Sequence, residues 1–389
     1  MIFSNKYINY SSRTKKELRQ ALILFSILSN KIAVIIGKYL LNITLKLHLP
    51  VLGLIKKIVF PSFCGGENIT ETKQKITLLG QDNIKTLLAY SVEGKGDNQS
   101  FRNTYEEILK NLDESQHNEL VPFCVFKITG IARFDILKKI NEKAQLSTEE
   151  EVEVEKIKNR LHHICQKANN IKIPVLIDAE ESWIQNAIDQ FVEEMMAIYN
   201  KIDVIVYHTI QLYRWDKFNY IKQLHEISKK KNFKLGLKLV RGAYMEKERA
   251  RSKRKKYTSP IHKQKTDCDY DYNEASKYCI NHIEKMSLCF GTHNERSTQM
   301  IIQLMKKNRI SNNDKRIYFS HLLGMSDNIS FYLAHFNYNV TKYVPYGPVK
   351  EVLPYLIRRV EENSAITGQT NQEIKRLEEA LKNITDNYI

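Results

Sequence analysis

The chain has 389 residues, of which 42% are hydrophobic and 27% are charged, and its formal net charge is +16. This composition is typical of a folded globular protein and excludes a disordered or collagen-like chain. The length indicates two domains or one large barrel with additions. The excess of cations suits nucleic acid or an anionic membrane as a partner, but lysine is abundant throughout, so we expect most of the charge to be spread over the surface.

Residues 1–60 differ from the rest of the chain, because they are rich in Leu and Ile with lysines interspersed. Their uncharged runs, such as 21–30, are too short to span a bilayer. The pattern predicts a basic amphipathic helical arm that lies on a membrane surface or packs on the main domain. The first twenty residues are basic with one acid, Glu17, so a mitochondrial transit peptide is a second interpretation.

From about residue 85, short apolar runs rich in β-branched residues alternate with longer helical patterns. The predicted strands are 87–92, 123–129, 174–178, 204–210, 234–240, 288–292, 317–320 and 340–344. The predicted helices are 101–117, 147–169, 181–199, 216–231, 272–285, 295–309, 326–336 and 349–363, with a further one at 372–382. Eight strands alternating with helices favour a parallel α/β barrel over a doubly wound sheet, which uses the same alternation.

The cysteines and histidines give no sign of a metal site. Six cysteines occur without a CxxC pair, which predicts reduced thiols in an intracellular protein. His162, His163 and Cys165 share a polar helical stretch but lack the spacing of a zinc site, so no metal is expected.

Polar side chains end or follow every predicted strand. They are Glu93, Lys127, Asp178 and Glu180, Gln211, Lys238 and Arg241, Thr292 and His293, His321, and Tyr343. In a β/α barrel the carboxyl ends of all strands meet at one mouth, where the active site is built. The sequence therefore predicts that these side chains converge on one site.

An arginine pair follows the last predicted strand. Arg358 and Arg359 share one face of an amphipathic helix with Tyr355 and Glu362. Two adjacent guanidiniums form a clamp for one small carboxylate.

The strand ends carry more positive charge than one small acid needs. Lys127, Lys238 and Arg241 therefore imply a second anion, such as a phosphate-bearing cofactor. Gly242 and Ala243 follow directly and allow the backbone to approach that group closely. No GxGxxG motif follows any strand, so a Rossmann cofactor site is not expected.

Six segments match, in order, motifs of a known family. They are AYSVEGK at 89–95, LIDAEESW at 176–183, KLVRGAYM at 238–245, GTHNE at 291–295, YFS with LGMSD at 318–327, and the stretch 343–363. Over residues 60–389 the chain closely resembles the proline dehydrogenases. It is most similar to the single-function form found in some bacteria and in mitochondria.

This resemblance implies a distorted (βα)8 TIM-like barrel at 61–389, with a C-terminal helix and the N-terminal helical arm at 1–60. The barrel would bind FAD noncovalently and transfer a hydride from C5 of L-proline, giving Δ1-pyrroline-5-carboxylate. Electrons would pass to a membrane quinone, with peripheral membrane contact and no nucleic acid. The implied location is cytoplasmic and peripheral to the inner membrane, with the mitochondrial matrix as the alternative.

The resemblance also assigns roles to individual residues. Asp178 and Lys238 correspond to residues at the reacting centre. Substrate contacts correspond to Lys127, Tyr244, Tyr343, Arg358 and Arg359. Cofactor contacts correspond to Ala179, Gln211, Arg241, Gly242, Ala243, Thr292 and His293, with Glu362 anchoring the arginine pair.

Two features depart from the family pattern. His321 stands where the family commonly has glutamine. The segment 249–273 is unusually basic and is expected to be an exposed, mobile loop, or else to hold the cofactor's pyrophosphate or touch anionic lipid.

Three other functions fit parts of the same sequence pattern. A Schiff-base aldolase also places a lysine at a strand end, and Lys127 or Lys238 would suit it. A flavin barrel acting on a folate is less compatible with the arginine pair. A nucleic-acid-binding module is not supported, because aromatic and basic residues are not interleaved on one element.

Overall fold

The computed structural model describes residue 3 and residues 15–30, 52–91, 97–365 and 367–386. Within these ranges the chain forms a closed barrel of eight strands. The strands are β1 (Lys85–Tyr90), β2 (Phe123–Lys127), β3 (Val175–Asp178), β4 (Val206–Gln211), β5 (Leu235–Val240), β6 (Met286–Gly291), β7 (Ile317–Leu322) and β8 (Val340–Tyr346). All eight predicted strands are confirmed.

Every strand pairs in parallel with the next in sequence, and β8 closes the barrel by pairing with β1. In that closing pair Leu87 lies opposite Tyr343, while on its other side Leu87 lies opposite Phe123. The strands are nearly continuous apolar runs because side chains on both faces are buried: one face points into the barrel and the other meets the helices.

Helices follow the strands around the barrel and confirm the predicted alternation. They are Asn98–Gln116, Phe134–Asn141, Thr148–Ile171, Ser182–Tyr199, Lys217–Lys230, Met245–Lys255, Lys265–Asn281, Glu295–Lys307, Asp327–His335 and Val349–Ala365. Ser147 caps one of them, with a capping box to Glu150. Leu52–Ile58, Phe60–Phe63 and Ile69–Gln81 precede the barrel, and Thr367–Asp386 follows it.

The expectation of a loop at 249–273 is wrong. Most of this segment lies in the helices Met245–Lys255 and Lys265–Asn281. The first helix is held by tertiary contacts: the buried Glu248 accepts hydrogen bonds from Ser182 N and Oγ, both at 2.6 Å. Arg251 lies over the Trp183 ring at 4.4 Å. These contacts stabilise a helix that the charge-rich sequence alone does not indicate.

The helix Lys15–Ser29 packs its apolar face on the C-terminal helices. Leu18, Leu24 and Leu28 share a buried cluster with Leu356 and Leu377. Most of the predicted arm at 1–60 lies outside the described residues, and its status as a separate domain stays a prediction. In the part of the chain that is described, no helix combines the length and apolarity needed to cross a bilayer.

Candidate active site

A cavity of about 500 Å³ opens at the carboxyl ends of the strands. Its wall contains fourteen residues singled out from the sequence: Lys127, Asp178, Ala179, Gln211, Lys238, Arg241, Gly242, Ala243, Tyr244, Thr292, His293, Tyr343, Arg358 and Arg359. The structure thus brings together every residue to which the resemblance assigned a role except Glu362, whose side chain lies outside the part described. Glu93 also falls outside the described residues. Glu180, which was also expected to converge on the site, does not line the cavity.

Asp178, in the cavity wall, is held by two donors. Lys238 Nζ donates to Oδ1 at 2.8 Å, and the Tyr343 hydroxyl donates to Oδ2 at 2.9 Å. Burial and the neighbouring carboxylate raise the pKa of Tyr343 well above its ordinary value, so the phenol remains a donor. The three side chains come from β3, β5 and β8, and the barrel closure brings them together.

The arginine pair is fixed by two aromatic rings. The Arg358 guanidinium lies 5.6 Å from the centre of the Tyr244 ring, and that of Arg359 lies 5.1 Å from the Tyr355 ring. Tyr355 in turn stacks on Tyr343, with ring centres 6.4 Å apart and planes 21° apart. This packing restricts both guanidiniums before any anion binds.

Arg241 is fixed on three sides by hydrogen bonds. Its Nε donates to Asp269 at 2.7 Å, and its two terminal nitrogens donate to Thr292 Oγ1 at 2.8 Å and Ser297 Oγ at 3.0 Å. Although burial opposes it, hydrogen bonds from Lys265 and Arg241 lower the pKa of Asp269. The sequence did not point to Asp269, which lies on the following helix.

A buried carboxyl group supports the loop after β3. Glu180 accepts hydrogen bonds from Thr129 N at 3.0 Å and Thr129 Oγ1 at 2.5 Å. Burial raises the pKa of this carboxyl to about 7, although Lys127 and the Thr129 hydrogen bonds pull it down. Gln211 Nε2 donates to the Glu180 backbone carbonyl at 2.8 Å, which joins the ends of β3 and β4.

Two imidazoles line the side formed by β6 and β7. His293 Nδ1 contacts Ser326 Oγ at 2.9 Å, and His321 Nδ1 contacts Ser330 Oγ at 3.0 Å. Desolvation and the nearby Lys342 ammonium lower the pKa of both rings, to about 3 for His293. Both imidazoles are therefore neutral at physiological pH.

The backbone after Arg241 approaches other groups closely. Gly242 has φ +142°, and a Cβ on it would meet ring atoms of Tyr213 at 2.6 Å. Only glycine suits both the conformation and the space. The close approach of this backbone to a cofactor anion, expected from the sequence, stays a prediction.

The charges of the wall are those of a site for more than one anion. Six cations line it, Lys127, Lys238, Arg241, Lys265, Arg358 and Arg359, against one lining carboxylate, Asp178, and the cations remain in excess when Asp269, which pairs with Arg241 and Lys265, is counted. Of the described residues, Gln211 Oε1 and His321 Nε2 are buried here without a protein hydrogen-bond partner. Such atoms are normally satisfied, so these two polar atoms and the cations of the wall fit a polar, anionic cofactor such as a flavin dinucleotide.

Comparison with known proteins identifies the family. A family model described as proline dehydrogenase matches residues 72–372. Proline dehydrogenase 1, mitochondrial, of Dictyostelium discoideum is 32% identical over 388 residues, covering 88% of this chain and 68% of that protein. The carbapenem antibiotics biosynthesis protein CarD of Pectobacterium carotovorum subsp. carotovorum is 30% identical over 329 residues, covering 85% of each.

Solved structures agree on the fold. Proline utilization A (PutA) from Bdellovibrio bacteriovorus, inactivated by N-propargylglycine, superposes with a TM-score of 0.71 at 18% identity. The match covers 93% of this chain but only 39% of that one, so this chain spans about two fifths of the solved protein. The family match over most of the sequence and the shared barrel lead to one conclusion: this chain belongs to the proline dehydrogenase family of oxidoreductases.

Proposed function

We propose that this protein oxidises L-proline to Δ1-pyrroline-5-carboxylate, with FAD as its cofactor and a membrane quinone as the electron acceptor. The observation that carries the proposal is the pairing, within one cavity, of an arginine clamp with the Asp178–Lys238–Tyr343 cluster. In the reaction the C5–H bond breaks with its electron pair, nitrogen gives up a proton, and a C=N bond forms. When bound, FAD supplies the chemistry of a hydride acceptor.

The substrate would be held at both ends. Arg358 and Arg359 would bind the carboxylate, and their cation–π contacts fix them in advance. Tyr244 and Tyr343 would flank the pyrrolidine ring, and Lys127 would add positive charge beside the carboxylate. Fixing the ring by its carboxylate orients C5 for transfer, which is what catalysis by positioning requires.

The cofactor would be held by wall residues other than those that bind the substrate. Arg241, anchored by three hydrogen bonds, would face the anionic part of FAD, with Thr292 and His293 beside it. Gln211 Oε1 offers an acceptor to a donor on the flavin, and Lys238 is oriented by Asp178. Ala179, Gly242 and Ala243 leave room for close approach, and Glu362 is proposed to anchor the arginine pair.

Location and electron acceptor are proposed from the relatives. The Dictyostelium discoideum and Arabidopsis thaliana proteins are named mitochondrial, which supports the mitochondrial matrix over a cytoplasmic site next to a bacterial inner membrane. In either compartment the acceptor would be a membrane quinone, reached by peripheral contact with the bilayer.

An absorption spectrum tests the proposal. Purified protein is expected to show a flavin band that bleaches when L-proline is added without oxygen, while D-proline leaves it unchanged. The product is measured by its adduct with o-aminobenzaldehyde. A colourless protein that borohydride links to a carbonyl substrate through Lys127 or Lys238 would replace this function by the aldolase.

A further inference from the structure

A run of cations lies on the helix that follows β5. In Met245–Lys255 the last turn carries Lys253, Arg254 and Lys255, and Lys256 follows directly. The four side chains at 253–256 are exposed, and they form no ion pair with any residue that the structure describes. Lysines on other helices, such as Lys138 and Lys158, do pair with an acid one turn away.

The orientation of this helix is fixed, so the cations occupy a definite surface. Glu248 is fully buried against Ser182, and Arg251 lies over Trp183. These contacts hold one face of the helix on the barrel and leave 253–256 directed to solvent. The four cations form one cluster of like charge at the end of this helix, and no ion pair with a described residue offsets that charge.

Exposed apolar and aromatic side chains stand at both ends of the same helix and beside the loop that follows it. Met245 begins the helix with 40% exposure, and Tyr257 follows it with 39% exposure. Trp215 is 58% exposed and is tied to the same loop, because its Nε1 donates to Ser259 O at 3.3 Å. We call Trp215, Met245, Tyr257 and the cations 253–256 the basic–aromatic patch.

The patch lies at the same end of the barrel as the cavity. The helix that carries it begins five residues after the end of β5, and Ala243 and Tyr244, which directly precede that helix, line the cavity wall. Lys265, on the next helix, also belongs to the wall. A partner bound on the patch would therefore sit beside the cavity mouth.

We propose that the basic–aromatic patch binds the surface of an anionic lipid bilayer. Trp and Tyr favour the headgroup layer, and lysines and arginines beside them are attracted to anionic lipid. A nucleic acid fits less well, because the exposed Met245 adds apolar area that suits the lipid boundary and adds neither a charge nor a ring for stacking. The inference rests on the proposed membrane acceptor and identifies the face of the barrel that would meet the membrane.

Vesicle binding tests the patch in the full-length holoprotein. The triple variant Lys253→Glu, Arg254→Glu, Lys255→Glu is compared with Lys306→Glu, Lys307→Glu, Lys315→Glu. The control residues are equally exposed, carry the same charge and precede β7, at the opposite end of the barrel. In co-sedimentation with phosphatidylcholine vesicles containing phosphatidylglycerol, the patch variant is expected to bind roughly a hundredfold more weakly, and the control nearly as the parent does.

Trp215 reports the contact directly. The chain has two tryptophans, so Trp183→Phe leaves Trp215 as the only one. Its fluorescence is expected to shift to the blue and to be quenched by brominated lipid in anionic vesicles. Absence of quenching, equal losses in both triple variants, or binding of single-stranded RNA in place of vesicles would overturn the proposal.

The same samples separate this inference from the proposed reaction. Dye-linked oxidation of proline is expected to be unchanged in the patch variant, because residues 253–255 do not line the cavity. If the parent protein binds vesicles through the patch but does not oxidise proline, the proposed proline oxidation is refuted and the proposed membrane-binding surface is supported. If the glutamate variant has a lowered Tm, the glutamine version repeats the test with a smaller charge change.

Discussion

Tyr343 and Asp178 are 165 positions apart in the chain, yet the Tyr343 hydroxyl donates a hydrogen bond of 2.9 Å to Asp178 Oδ2. Lys238 donates to the other oxygen at 2.8 Å, so the carboxylate is held at both oxygens and cannot rotate freely. The ammonium therefore has a fixed position at the cavity wall. That position is set by three strands rather than by one flexible loop.

Tyr343→Phe should loosen the hydrogen-bonded cluster around Asp178 without loss of the bound flavin. Losing one hydrogen bond to a charged group costs roughly 1.5 to 3 kcal/mol, so kcat/KM for proline should fall by about one to two orders of magnitude. Flavin content, read from the absorption spectrum, should be unchanged. An unaltered kcat/KM would mean that the hydroxyl does not orient Asp178 for the reaction.

Arg359→Ala should raise KM for proline by about one to two orders of magnitude while flavin remains bound. Arg359 is almost fully buried and lies in the cavity wall. A cation from the solvent therefore cannot take the place of its guanidinium beside the bound carboxylate. Steady-state kinetics with a dye acceptor measures the change.

Arg376→Ala is a matched control for that variant. Arg376 is also buried, but it pairs with Glu373 on the C-terminal helix and does not line the cavity. It should lower Tm without changing KM. Loss of flavin from the Arg359 variant would contradict the assignment of this residue to the substrate.

The strands were predictable because a parallel barrel buries both faces of each strand, which leaves an apolar run that sequence alone reveals. The convergence of the site followed from the rule that strand ends share one mouth. The sequence did not reveal the hydrogen-bond partners that fix the side chains of the site. Asp269 reaches Arg241 from 28 positions away, and the helix Met245–Lys255 depends on Glu248 meeting Ser182 in space. Such pairings exist only once the barrel has closed.

Gly242→Ala should prevent normal folding of the site. Its φ of +142° disfavours any side chain, and the added Cβ would lie 2.6 Å from the buried Tyr213 ring. We expect a loss of about 2 to 5 kcal/mol in the free energy of unfolding, together with loss of flavin. Gly53→Ala is the control, because nothing lies within 4 Å of a Cβ there. It should stabilise the protein by about 0.5 kcal/mol, since alanine is the better helix former.

The buried carboxyl of Glu180 should make stability fall as pH rises from about 4.5 to about 7. Burial raises its pKa from the ordinary 4.5 to about 7 in the folded protein. Between these two values the folded state binds more protons than the unfolded state, so the free energy of unfolding decreases with increasing pH. Above about 7 the folded carboxyl is ionised as well, and this contribution to the slope ends.

Glu180→Gln removes the titrating group and keeps the shape of the side chain. Its amide can still accept from Thr129 N, the bond that measures 3.0 Å in the parent. Urea titrations at several pH values from 4.5 to 8 measure the free energy of unfolding. This free energy should depend less on pH in the variant, so the stability of the variant relative to the parent should increase as pH rises. Parallel profiles would mean that Glu180 is ionised throughout this range, and that the Lys127 ammonium outweighs the desolvation of the carboxylate.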